Sequence, residues 1–228
     1  YASAGQLLNL NWKWEDIAKH LKINVRDSMS ALDIKNNLLG VCDQMYLFEP
    51  GDDTTVCVLK AVKPKKVKLF TGPPSHKEDD AKVVHELMNN ADIRIVSGGT
   101  TSQIVARELG VEVKSSTEIY DKEVPPIAYI QGVDLVTEGV LTLSKTIDRL
   151  KSLSKSLDSD IFKAKDGASQ MAKLLYSASH IKLLVGRSLN IANAESSFQR
   201  DLELRLHVIG ELEKILVKLG KIVTVEYY

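Results

Sequence analysis

Ile93-Arg94-Ile95-Val96-Ser97-Gly98-Gly99-Thr100-Thr101-Ser102 is the stretch that decides the fold. Residues 93–96 are rich in β-branched and apolar side chains and read as a strand. Gly98-Gly99 turns the chain. Residues 100–109 then read as a helix that stops at Gly110, the residue type that favours the left-handed position after a helix.

The same alternation continues on both sides. Upstream, residues 67–70 read as a strand ended by Thr71-Gly72-Pro73-Pro74, and residues 78–90 as a helix with Val84, Leu87, Met88 and Ala91 on one face. Downstream, residues 111–113 read as a short strand and 114–131 as irregular, with Pro125-Pro126 inside. A helix is expected over 132–152. Its apolar positions Val133, Val136, Val140, Leu143, Ile147 and Leu150 alternate spacings of three and four. A helix at 166–177, a strand at 181–185, a helix at 198–219 closed by Gly220 and a strand at 222–227 complete the pattern. Strands separated by helices call for parallel pairing with crossover helices. Residues 65–228 are therefore expected to form a three-layer α/β domain with a mostly parallel sheet of four or five strands.

Residues 1–63 read differently. Trp14, Ile17 and Leu21 mark an amphipathic helix within 11–22. Ile34, Leu38, Val41 and Met45 mark a second over 30–47, with Ser30 as its N-cap. Pro50-Gly51-Asp52-Asp53 is a turn, and residues 56–62 read as a strand. The basic, proline-containing Lys63-Pro64-Lys65-Lys66 marks the boundary between the two parts.

The chain of 228 residues is long enough for a large core, and its composition is that of a globular protein. It has no apolar run of about 18 residues, so no membrane-spanning helix is expected. Thirty basic and thirty acidic side chains cancel, which argues against a nucleic-acid partner held by a general positive field. Two cysteines, Cys42 and Cys57, are too few for a disulfide framework and fit a cytoplasmic protein. The five histidines show no ligand spacing.

Three constellations carry chemistry. Asp52 and Asp53 are adjacent carboxylates on a tight turn, a donor type that suits a hard divalent cation or simply makes an acidic turn. Residues 98–102 form a glycine turn leading into a helix. There Gly98, Gly99, Thr100, Thr101 and Ser102 supply backbone N–H groups and hydroxyls for an anion, or Thr100 or Thr101 merely caps the helix. The glycine spacing matches neither a P-loop nor a dinucleotide fingerprint. Arg187 follows another expected strand end and is the candidate guanidinium for the same small anionic ligand, or a surface ion-pair partner. Asp134, Thr137 and Glu138 form a third group. On the expected helix, Asp134 and Glu138 share a face and either bind a cation or complement the helix dipole.

Tyr1-Ala2-Ser3-Ala4-Gly5, the stretch from Leu10 to Ile17 and Gly51-Asp52-Asp53-Thr54-Thr55-Val56 resemble the closing segments of a bacterial SpoIIE-type domain of the protein phosphatase 2C family. The resemblance covers about a quarter of the chain. It implies a metal-dependent phosphoprotein serine/threonine phosphatase using Mn²⁺ or Mg²⁺, with Asp52 as a metal ligand and Asp53 supporting it. The family's earlier aspartates are not in this sequence, so the resemblance implies a C-terminal fragment that is inactive alone, followed by a regulatory α/β domain. Val67-Lys68-Leu69-Phe70-Thr71-Gly72-Pro73-Pro74, Ser97-Gly98-Gly99-Thr100-Thr101 and the stretch from Gly132 to Gly139 resemble the extension C-terminal to the catalytic domain in one subset of these phosphatases. The alternative is a free-standing ligand-binding module that forms a homodimer through the 133–150 face.

Overall fold

The computed structural model describes residues 12–27, 29–49, 53–61, 63–155, 161, 163–188 and 195–228. The chain divides into two compact units, Tyr1–Lys63 and Pro64–Tyr228.

In the first unit, helix α1 spans Trp14–Asn24 and α2 spans Ala31–Met45. Ser30 starts α2 through a reciprocal capping box. The Asp33 amide donates to Ser30 Oγ over 3.1 Å, and the Ser30 amide donates to Asp33 Oδ2 over 2.7 Å. Trp12, Leu38, Cys42 and Tyr46 form a small core on which Ile17 and Leu21 pack. Of the strand expected over 56–62, residues 56–61 pair with no strand among the described residues, and residue 62 lies outside them. Alternating apolar residues alone do not make a strand.

The second unit is a three-layer α/β domain. Its elements are β1 (Lys66–Thr71), α3 (Asp80–Met88), β2 (Ile93–Ser97), α4 (Gly99–Leu109), β3 (Lys114–Ser115), β4 (Ala128–Tyr129), β5 (Leu135–Thr137), α5 (Val140–Lys155), α6 (Gly167–Ser177), β6 (His180–Val185), α7 (Glu195–Lys218) and β7 (Ile222–Tyr227). The seven strands lie in the order β3-β4-β5-β2-β1-β6-β7. The pairs β5–β2, β2–β1, β1–β6 and β6–β7 are parallel, and β3–β4 and β4–β5 are antiparallel.

Alternation along each strand divides the core. Leu69, Ile95, Leu135 and Leu183 face α5, α6 and α7, where Leu143, Leu150, Met171, Leu175, Ile209 and Leu212 meet them. Phe70, Val96, Val136 and Leu184 face α3 and α4, where Val83, Leu87 and Val105 meet them. Strands buried on both faces need no polar alternation, which is why they read as continuous apolar runs. Charged side chains still interrupt these runs: Arg94 and Lys182 are half-buried, and in β1 there is Lys68, 8% exposed. Its ammonium donates to the carbonyls of Glu86 and Asn89, at 2.6 and 2.7 Å, and so satisfies the end of α3.

Three expectations are corrected. The sheet has seven strands rather than four or five. Residues 111–113 form no strand, and the neighbouring stretch expected to be irregular holds β3 and β4. The single helix expected over 132–152 is a strand followed by a helix. Gly132, at φ +89°, and Gly139 bracket β5, and α5 starts only at Val140. The heptad-like spacing runs through both because Leu135 and Val136 are buried on opposite faces of the sheet, so every position of the short strand is covered. Leu143, Ile147 and Leu150 are then buried in the domain's own core.

Candidate functional site

The parallel strands present their carboxyl ends at one edge, where open α/β sheets bind ligands. The chain runs from β1 outward through β2 to β5, then returns beside β1 as β6. The switch point therefore lies between β1 and β6. There the two turns meet backbone to backbone. The Gly186 amide donates to Thr71 O over 2.9 Å and the Ser188 amide to Pro73 O over 3.0 Å. A Cβ on Gly186 would stand 2.1 Å from Pro73 O. Arg205 of α7 closes the contact from the side, donating to Gly186 O over 3.2 Å.

The open space is one strand over, between the ends of β2 and β5. Gly98 is the N-cap of α4 at φ +118°, a conformation that favours glycine, and it uses no side-chain cap; Thr100 and Thr101 are not caps. The Gly98 amide donates to Thr137 O over 2.9 Å, and Ser97 Oγ donates to Glu138 O over 2.7 Å. Thr101 is buried and its Oγ1 accepts from the Gly72 amide over 2.9 Å. Ser102 Oγ donates to Gly99 O over 2.7 Å. The turns after β1, β2 and β5 are thus one hydrogen-bonded assembly.

Beside it is a cleft of about 230 Å³. One wall is the first turn of α4, with Gly99, Ser102 and Gln103. The other is the β3–β4 region, with Ser115 and Ser116, and the floor is Val136, Pro126 and Ile127. Glu138 lines the cleft as well. Its Oε2 would lie 4.0 Å from a Cβ placed on Gly99, so a carboxylate already faces the N-terminal turn of α4. Glu138, Gln103 and Ser115 form no side-chain hydrogen bond among the described residues, and all three line the cleft.

The expected site residues divide. Gly98, Gly99, Thr100, Thr101 and Ser102 sit together at the turn, with Gly99 and Ser102 lining the cleft and Thr101 serving structure. Arg187 does not join them. Its guanidinium lies 5.0 Å over the Tyr227 ring, its amide donates to Tyr228 O over 2.8 Å, and β1 lies between its strand and β2. Asp134 and Glu138 do not share a helix face. They flank β5 at opposite ends, and Asp134 Oδ2 accepts the Arg94 amide over 2.7 Å. Thr137 and Glu138 alone reach the carboxyl edge. Gln103, Ser115 and Ser116 carry no sequence motif that would mark them. Only the antiparallel β3–β4 pairing brings the serines to α4.

Asp52 lies outside the described residues. Asp53 is exposed on irregular backbone. Among the described residues no group of three or more His, Cys, Asp or Glu side chains is placed to hold a metal. Nor is any described helix long and apolar enough to cross a membrane.

Comparison of the chain with family models, with curated proteins and with solved structures found no match.

Proposed function

We propose that residues 64–228 form a regulatory domain that binds a small polar molecule in the cleft between the ends of β2 and β5. One observation carries this reading: three exposed polar side chains, Gln103, Ser115 and Glu138, line a single hollow at the carboxyl edge. The cleft's one charged side chain is a carboxylate, which favours a hydroxylated or amine-bearing ligand over the small anion expected from the glycine turn. At about 230 Å³ it has room for a molecule of sugar or short-amine size and none for a dinucleotide. Calorimetric titration of the chain with D-ribose, putrescine and inorganic phosphate tests this. Binding of either of the first two, lost in Glu138→Gln, is the expected result.

The activity under regulation rests on the resemblance of the first 62 residues. On that basis we propose that the chain is the C-terminal part of a cytoplasmic metal-dependent protein serine/threonine phosphatase, with Asp52 a metal ligand. The parent, assayed with p-nitrophenyl phosphate and Mn²⁺, should turn over and lose that activity on Asp52→Ala. A parent without metal-dependent turnover would leave the ligand-binding module alone.

A further inference from the structure

The two edges of the sheet differ in kind. At one edge β3 is two residues long and begins with the exposed Lys114, the usual protection of an edge against pairing. At the other, β7 runs Ile222-Val223-Thr224-Val225-Glu226-Tyr227, six residues without proline, glycine, lysine or bulge. Ile222 is 58% exposed and Tyr227 49%. The one charge, Glu226, is turned back into its own domain. Its Oε2 lies 2.6 Å from Lys182 Nζ, and its Oε1 accepts from Tyr228 Oη over 2.9 Å.

The hydrogen bonds of the inner side fix what the outer side offers. The Ile222 amide donates to Ser179 O and the Tyr228 amide to Val185 O, both over 2.9 Å. Even-numbered residues therefore bond to β6, and Val223, Val225 and Tyr227 turn both N–H and C=O outward. None of these outward groups has a backbone partner among the described residues. A second β7, antiparallel and centred on Val225, fits this row. The outward groups of Val225 meet their own copies, and those of Val223 meet those of Tyr227. The sheet face is preserved because each residue then opposes one of the same parity. Val223 packs beside the partner's Tyr227 and Thr224 beside the partner's Glu226, so no like charges are opposed.

We infer that β7 is a homodimer interface at which two copies of this chain join their sheets edge to edge. The occupant is a second copy because its own edge supplies the matching row of outward groups with no like charges opposed.

Sedimentation equilibrium of the chain over a wide dilution series tests this, with hydrogen exchange resolved to single amides. The expected result is a species of twice 25.3 kDa that dissociates on dilution, with the Val223, Val225 and Tyr227 amides losing protection as it does. Val225→Pro removes one outward N–H and leaves the β6 ladder intact, and Thr224→Lys places a guarding charge on the edge. Both should be monomeric, and Thr224→Lys keeps the test decisive if the proline variant fails to fold. A chain that is monomeric throughout overturns the proposal. So does a dimer that survives Thr224→Lys, or protection confined to another element.

Discussion

The Gly72 amide donates to Thr101 Oγ1 over 2.9 Å, with both residues buried, and this bond ties the turn after β1 to the first turn of α4. It fixes one wall of the cleft to the centre of the sheet. Valine in place of Thr101 keeps the shape and removes the acceptor, leaving a buried amide unsatisfied. Thr101→Val should cost about 1–3 kcal/mol and Thr101→Ser much less. Urea unfolding reads this as a lower midpoint at unchanged slope.

Gly186 and Gly210 should respond in opposite directions to alanine. A Cβ on Gly186 would stand 2.1 Å from Pro73 O and 2.2 Å from Gly72 O, both backbone atoms. Gly186→Ala must part β1 from β6 at the carboxyl edge, at a cost of about 1–3 kcal/mol or more. Gly210 lies within α7 with nothing within 4 Å of an added Cβ. Gly210→Ala should stabilise by about 1 kcal/mol through helix propensity. Thermal melting of the two variants separates these outcomes.

Stability should fall on the acid side through a defined carboxylate. Glu86 Oε1 lies 2.8 Å from Lys182 Nζ and 2.6 Å from Lys68 Nζ. These hydrogen bonds, that to Lys182 first, hold its pKa below the ordinary 4.5. The unfolded chain then binds more protons in that window than the folded one. The stabilisation is complete above about pH 4.5 and is lost as the pH falls through the depressed folded value. Melting temperature followed from pH 6 downward should drop in the wild type and drop less steeply in Glu86→Gln. Equal slopes would place the acid sensitivity elsewhere. Glu226, lowered by the same lysine, contributes in the same direction.

The sheet was legible where strands are long and β-branched: β1, β2, β6 and β7 stand within a residue of their expected places. Gly110 ends α4 at φ +67° as expected from its type alone. β5 was not legible, because three buried residues between glycines fit a helical spacing as well as a strand. The short β3 and β4 carry no periodicity at all. The glycine turn at 98–102 was found because backbone needs are written in glycine. The rest of the cleft was not, because Ser115 and Gln103 meet only through pairing between distant segments. Arg187 fell to the far side because one strand end looks like another in sequence, while strand order decides which ends are neighbours.

Uptake of a polar ligand through Glu138, in the cleft beside α4, is tested most directly by calorimetric titration. The chain and Glu138→Gln are each titrated with D-ribose, putrescine and inorganic phosphate. Saturable binding of ribose or putrescine by the wild type is predicted, with none by the variant and no binding of phosphate by the wild type. Binding of phosphate alone, undiminished in Glu138→Gln, or no binding of any of the three, would contradict the proposed site.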